Sequence, residues 1–145
     1  MARYSAGGLT GAGSTTLPVI ALYAGATGTP ILQGFRIWNT TAVAVDFELV
    51  RVTTAGTWSS TTEAPWRDRA ATNVAQVFIT SSGTPPTIGT RLGLFYSLPG
   101  SIGAGIMESF GPDGITVPTG VANGIALVPM GTGQVIRASF IFDDE

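Results

Sequence analysis

The sequence predicts an all-β fold: a single-domain β-sandwich, jelly-roll-like, or a β-barrel, with about eight or nine short strands. Three observations predict it. Short apolar runs recur along the chain, turns with Gly or Pro separate them, and almost no segment shows the period of about 3.6 residues that marks a helix. A length of 145 residues is the usual size of one domain, so we expect a single core.

The first residues differ from this pattern and predict a flexible N-terminal arm over residues 1–16, ahead of a β-sandwich domain over residues 17–145. The segment is rich in Gly, Ala, Ser and Thr, and its bulky or charged side chains are Arg3, Tyr4 and Leu9. Alone it cannot bury enough surface to offset the entropy of ordering it. We therefore expect it to be disordered or to lie against a partner.

The apolar runs that follow are short and regularly spaced. The predicted strands cover residues 17–24, 31–39, 43–52, 73–80, 92–98, 102–110, 114–118, 124–129 and 134–142. Alternation is clearest at 43–52, where Phe47 and Leu49 share one face, while Val50 and Val52 depart from that stripe. This departure predicts a bulge or a second buried face near the end of the strand.

Two segments outside the predicted strands are rich in charged residues. Residues 63–69 contain four charged side chains among seven residues, which makes this loop the most polar patch, and a short helix is compatible with residues 66–71. The acidic residues 143–145 could collect a Ca²⁺ ion, but a frayed, solubilising chain end is the favoured interpretation.

The composition limits the surface and the partners. Charged residues make up 11% of the chain, against roughly 25% in an ordinary soluble domain. The surface is therefore rich in hydroxyl groups, or large apolar areas are covered by other subunits, and we expect both. A net charge of −2 and seven scattered basic residues, all Arg, argue against nucleic-acid binding. No apolar stretch reaches the roughly 18 residues of a membrane helix, so no membrane partner is expected.

Conventional catalytic chemistry is missing, because the chain contains no His, Cys or Lys. We therefore expect no enzyme activity, no cofactor and no metal. Asp46 and Glu48 lie two residues apart on one strand face, roughly 7 Å from each other, a separation that glycosidase carboxylates can show. An ion-pair face with Arg36 and Arg51 is the favoured interpretation of that pair.

The three tryptophans suggest an alternative function. Trp38, Trp58 and Trp66 could line a carbohydrate platform, because flat aromatic faces suit sugar rings. An interface anchor is an equally good interpretation of Trp58 and Trp66, and partial burial in the core is the simpler one for Trp38.

Several segments together resemble a known family. These are the Gly-rich arm, LPVIALYA at 17–24, GFRIWNTTA at 34–42, and GVANGIAL at 120–127 followed by GTGQ at 131–134. They resemble the small head decoration, or cement, proteins of tailed bacteriophages, and the resemblance spans most of the chain.

The resemblance implies a β-rich structural virion protein, often a homotrimer, whose partner is the major capsid protein. Such a subunit is assembled in the host cytoplasm and sits on the capsid exterior at local threefold positions, where it ties capsomers together. The residues that we expect to contact partners are Arg3, Tyr4 and Leu9 in the arm and Trp66, Arg67 and Arg69 in the polar loop. A solvated surface is the competing interpretation of that loop. Competing functions are a host-surface or carbohydrate-binding β module of a phage tail or fibre, and a hydrolase that uses carboxylates alone.

Overall fold

Two antiparallel β-sheets pack face to face in the structure, a computed structural model that describes residues 2–60, 63–65, 75–79 and 84–144. These residues form twelve strands and no helix. The strands are β1 (Ala2–Leu9), β2 (Ile20–Tyr23), β3 (Ile31–Asn39), β4 (Val45–Val52), β5 (Ser59–Ser60), β6 (Ala64–Pro65), β7 (Gln76–Ile79), β8 (Ile88–Leu98), β9 (Gly105–Ser109), β10 (Ile115–Thr116), β11 (Gly124–Pro129) and β12 (Ile136–Asp144).

The strand order is that of a jelly roll. Sheet A has the order β10-β3-β12-β1-β6, with β9 beside β10 on the same edge of β3, and sheet B has the order β5-β7-β2-β11-β4-β8. In the pairs β1–β12, β2–β11, β3–β9 and β4–β8, an early strand lies antiparallel to a late one, and successive pairs alternate between the sheets. A long antiparallel ribbon rolled into two sheets has this order. The predicted all-β sandwich is confirmed.

One core fills the space between the sheets. The alternation of side chains along β3 and β4 sends Phe35, Phe47 and Leu49 inward, where they are fully buried. Phe35 contacts Phe140 of β12 within sheet A and Tyr96 of β8 across the sandwich, at ring-centroid distances of 6.3 and 4.7 Å. The two sheets therefore share a continuous aromatic and aliphatic interior.

A second apolar cluster lies on the outer face of sheet B. Its buried members are Ala21, Tyr23, Val50, Val52, Ala126 and Val128, with Trp58, Phe78 and Ile88 packed against them. The predicted second buried face at Val50 and Val52 is confirmed. A register shift also occurs there, because Leu49 pairs with Leu94 but Val50 pairs with Arg91. The extra residues thus belong to β8, where Gly93 adopts a positive φ of 68°.

The prediction of a flexible arm is wrong for residues 2–9. These residues form β1, which pairs with β12 along its whole length, from Ala2 opposite Asp144 to Leu9 opposite Arg137. Tyr4 is only 1% exposed and stacks on Phe142 at 5.5 Å. Backbone pairing with a distant strand orders this segment, and side-chain composition does not reveal such pairing.

The acidic chain end is also ordered, so the prediction of fraying is wrong for Asp143 and Asp144, which belong to β12. Asp144 is buried and accepts a hydrogen bond from the amide of Ala75, 2.8 Å away, just before β7. Since β12 belongs to sheet A and β7 to sheet B, this carboxylate links the two sheets. Glu145 and the helix considered at 66–71 lie outside the described residues.

The remaining strand predictions are largely confirmed. Eight of the nine predicted segments contain a strand of at least four residues, and the ninth, 114–118, contains only the two-residue β10. β8 begins at Ile88, four residues earlier than predicted. Across the described part of the chain, no helix is long and apolar enough to cross a membrane.

Candidate partner-binding surface

The outer face of sheet A exposes side chains that usually occur in protein interfaces. In β3, Phe35 and Ile37 point into the core, so the alternation sends Arg36 and Trp38 outward. Trp38 is 40% exposed, so the prediction that it is partly buried in the core is wrong. Its indole belongs to the solvent side of the sheet.

Strand pairing places further exposed side chains beside these two. Met107 of β9 lies opposite Arg36, and Arg137 of β12 lies opposite Trp38. Leu9 of β1 lies opposite Arg137, which extends the row across the sheet. Directly opposed residues have Cβ atoms about 5 Å apart, so these five side chains form one continuous surface. We call Leu9, Arg36, Trp38, Met107 and Arg137 the arginine–tryptophan face.

A depression of about 490 Å³ opens in this face between β3 and β9. Arg36, Trp38 and Met107 line it, and Gly103 and Gly105 leave it open on the β9 side. A Cβ atom at Gly105 would lie 3.1 Å from the Cβ of Trp38 and 3.0 Å from the carbonyl oxygen of Ile37. Glycine at this position therefore keeps the backbone of β9 close to β3 and preserves the space beside the indole.

Apolar side chains on this face are strongly exposed. Met107 is 70% and Leu9 50% exposed. A polarisable thioether and an indole adapt well to a partner surface, and both residue types are enriched at the centres of interfaces. The face therefore has the composition that is typical of an interface core.

The charge of the face is positive although the chain is negative overall. Neither Arg36 nor Arg137 forms an ion pair with any of the residues that the structure describes. The other described arginines are engaged: Arg3 with Asp143, Arg91 with Glu48, and Arg51 with the carbonyl oxygen of Thr116. Two guanidinium groups without an ion-pair partner in the described ranges thus lie next to Trp38, one two residues before it on β3 and one opposite it on β12.

A neutral polar network borders the face at the other end of β12. The Nε of Arg3 donates to Asp143 at 2.7 Å, its Nη2 donates to the same carboxylate at 2.9 Å, and Gln33 donates to it at 2.9 Å. Hydrogen bonding to Asp143, reinforced by the charge of that carboxylate, raises the pKa of Arg3. A second depression, of about 300 Å³, lies between this network and Met107.

The sequence-predicted contact residues divide into three groups. Arg3 and Leu9 lie on the outer side of sheet A, whereas Tyr4 points into the core and is corrected from a contact residue to a core residue. Trp66, Arg67 and Arg69 lie outside the described residues. Among the described residues, the sequence pointed to Trp38 only as part of a carbohydrate platform and did not point to Arg137, although the alternation of residues 35–38 already placed Trp38 opposite the core face.

The carboxylate pair on β4 forms polar contacts within sheet B. Glu48 is buried and accepts a hydrogen bond from Arg91 at 2.7 Å, and Asp46 accepts one from the hydroxyl of Ser97. An ion pair is confirmed, but its partner is Arg91 of the neighbouring β8 rather than Arg36 or Arg51. Within the described ranges, no group of three or more His, Cys, Asp or Glu side chains could hold a metal ion.

A smaller apolar patch lies on the outer face of sheet B, at the opposite side of the sandwich. Phe95 is 60% exposed and lines a depression of about 290 Å³ together with Asp46, Ser97 and Met130. We call Phe95 and Met130 the Phe95 patch. Trp58, in contrast, packs against Tyr23 at a ring-centroid distance of 6.3 Å and belongs to the second apolar cluster.

Comparison with known proteins identifies no relative: no family model, no curated protein and no solved structure matches the chain.

Proposed function

We propose that this protein is a structural virion protein that decorates and stabilises a bacteriophage capsid from outside, as a homotrimer that bridges major capsid protein subunits. The observation that carries the proposal is the exposed arginine–tryptophan face on sheet A. It presents Trp, Met and Arg, the residue types that are enriched in interface cores and hot spots. A paired sheet holds their backbone in place, so docking has to order only their side chains.

The jelly roll is compatible with this role. Double-sheet jelly rolls occur in viral capsid and lectin domains alike, so the fold is compatible with the proposal and does not select it. The low charge content favours permanent contacts, since obligate interfaces are more hydrophobic than transient ones. No catalytic role is included in the proposal, and no cofactor is needed for it.

The Phe95 patch supports self-association. It lies on sheet B, away from the arginine–tryptophan face, so a subunit can contact its copies and a capsid at the same time. Linked subunits bind a repeating lattice with avidity, because the second and third contacts become intramolecular. Binding only to the assembled shell then stabilises that shell by mass action.

The test uses capsids that lack the protein. Wild-type protein at micromolar concentration is expected to co-sediment with them and to raise their melting temperature. Trp38→Ala is expected to reduce binding at least tenfold, whereas the matched control Val121→Ala, at an exposed apolar residue away from strand β3, retains it. Absence of wild-type binding to such capsids would refute the proposal.

A carbohydrate-binding module of a phage tail or fibre is the second candidate. The observation that favours it is the exposed indole of Trp38 beside an open depression, because sugar rings stack on such faces. It predicts glycan binding by the wild type that Trp38→Ala abolishes. Capsid binding with no glycan binding excludes this candidate.

A further inference from the structure

We infer that the segment docked on the arginine–tryptophan face is acidic, with carboxylates that bind Arg36 and Arg137 and a bulky apolar side chain that enters the depression beside Trp38. The inference rests on the proposed function for the identity of the partner, an exposed segment of the major capsid protein. It adds the chemistry by which that partner is recognised.

The strand register fixes the positions of the two cations. Arg36 lies opposite Ser139, and Arg137 lies opposite Trp38, so Arg36 and Arg137 are diagonal neighbours on adjacent strands. Diagonal neighbours in an antiparallel pair are about 7–8 Å apart. Side chains two residues apart on an extended segment point to the same side and are separated by about 7 Å. Two carboxylates with this spacing can therefore reach both guanidinium groups.

Desolvation gives the reason why carboxylates are needed. A partner that covers Trp38 and Met107 also removes water from Arg36 and Arg137, their immediate neighbours in the sheet. A buried charge without a counterion is strongly unfavourable, so an uncharged apolar partner would be rejected. Carboxylates satisfy the planar guanidinium donors with bidentate hydrogen bonds, which also fixes the orientation of the partner.

The charge distribution favours an acidic protein over a nucleic acid. The chain has a net charge of −2, and the face offers two arginines next to an indole, neither with an ion-pair partner among the described residues, rather than an extended row of basic residues. Phosphate backbones are bound by many clustered Lys and Arg side chains, which release counterions over a long track. Two cations around an apolar centre suit a short acidic segment better.

The first experiment needs no capsid and uses poly-L-glutamate as the probe. Immobilised poly-L-glutamate is expected to retain the wild-type protein at 20 mM NaCl and to release it at 300 mM NaCl, because salt screens the contact. The double variant Arg36→Gln/Arg137→Gln is expected to bind at least fivefold more weakly. Arg51→Gln is the control for the loss of a positive charge elsewhere, since Arg51 lies on sheet B, and it should change retention less than twofold.

The same variants are then tested on capsids that lack the protein. Wild-type affinity is expected to fall at least tenfold between 50 and 300 mM NaCl, and Arg36→Glu/Arg137→Glu is expected to abolish binding. Both arginines are exposed, so the urea midpoint of each variant should match that of the wild type and exclude misfolding as the cause.

The outcomes separate this inference from the proposed function. Capsid binding that is insensitive to salt and equal in the double Gln variant overturns the inference and leaves the decoration role intact. Equal retention of wild type and double variant on poly-L-glutamate overturns it independently of any capsid. Tighter binding to single-stranded poly-dT than to poly-L-glutamate would assign the face to nucleic acid instead.

Discussion

At the scale of single residues, the buried carboxylate of Glu48 gives the sharpest prediction. Arg91 is its ion-pair partner, at 2.7 Å. Arg91→Ala leaves an acceptor buried and unpaired, which costs about 1–3 kcal/mol of unfolding free energy. Urea unfolding at pH 7 measures this loss.

A double variant provides the control for that prediction. Glu48→Gln/Arg91→Ala removes the charge of the acceptor as well and should recover part of the loss. An unchanged urea midpoint for Arg91→Ala would mean that the ion pair contributes nothing to stability.

The buried phenol of Tyr23 predicts that the free energy of unfolding depends on pH. Burial raises the pKa of its phenol to about 12. Hydrogen bonding with the side chain of Trp58 and with the backbone of Gly56 partly opposes this increase. Below about pH 10 the phenol is protonated in both folded and unfolded chains, so its contribution to stability is complete there. Between about pH 10 and 12 only the unfolded chain releases the proton, so stability falls as the pH rises through this range.

Urea unfolding at pH 8 and pH 11.5 measures the effect. Between these two pH values, the free energy of unfolding of the wild type should fall by about 2 kcal/mol because of this group. The decrease should be correspondingly smaller in Tyr23→Phe. Tyr96 has a pKa raised to about 12 by burial and by Glu108, so some loss remains in the variant. If the variant loses as much stability as the wild type, Tyr23 is not the group responsible.

At the scale of elements, β1 is the part of the fold that the sequence predicted least well. Its Gly, Ala and Ser residues give no strong alternation, and Gly7 is needed where the backbone approaches Ala138, since an added Cβ would collide with the carbonyl oxygen there. What orders the strand is its pairing with β12, more than 120 residues away in the sequence. A local pattern cannot reveal such a partner.

Strand β1 can be tested at Tyr4, whose ring lies in the core. Tyr4→Ala should cost about 3–5 kcal/mol, as for other large aromatic side chains removed from a core. If residues 2–9 were a flexible arm, the same substitution would leave the free energy of unfolding unchanged. Leu9→Ala, at the exposed end of the same strand, is the control and should change stability by no more than about 0.5 kcal/mol.

The candidate surface was predictable only in part for the same reason. Alternation in residues 35–38 already separates Arg36 and Trp38 from the core face, because the period of a strand is local. Their proximity to Arg137 and Leu9 depends on β3, β12 and β1 being neighbours in sheet A. The sequence singles out Leu9 and Trp38 separately, but only the strand order shows that they belong to one face with Arg36, Met107 and Arg137.

At the scale of the whole molecule, substitutions in the Phe95 patch test the proposed state of association. The proposed homotrimer should dissociate in the double variant Phe95→Ser/Met130→Ser, because two exposed apolar side chains are replaced in its contact. Light scattering measures the mass, with a trimer expected for wild type and a monomer for the variant. Trp38→Ser is the control on the opposite sheet and should remain trimeric.

A monomeric wild type at micromolar concentration would contradict the trimer and leave the capsid contact to be tested by itself. An unchanged trimer in the double variant would place the contact between copies elsewhere on the surface.

The antiparallel pairing of β1 with β12 has a mechanical consequence. Ala2 and Asp144 lie opposite each other at the same end of the pair, so tension applied between them would peel the strands apart one hydrogen bond at a time. A force applied across the face of sheet A would instead act on many interstrand hydrogen bonds and side-chain contacts at the same time. The molecule should therefore resist a force applied across the face of sheet A better than a pull between Ala2 and Asp144.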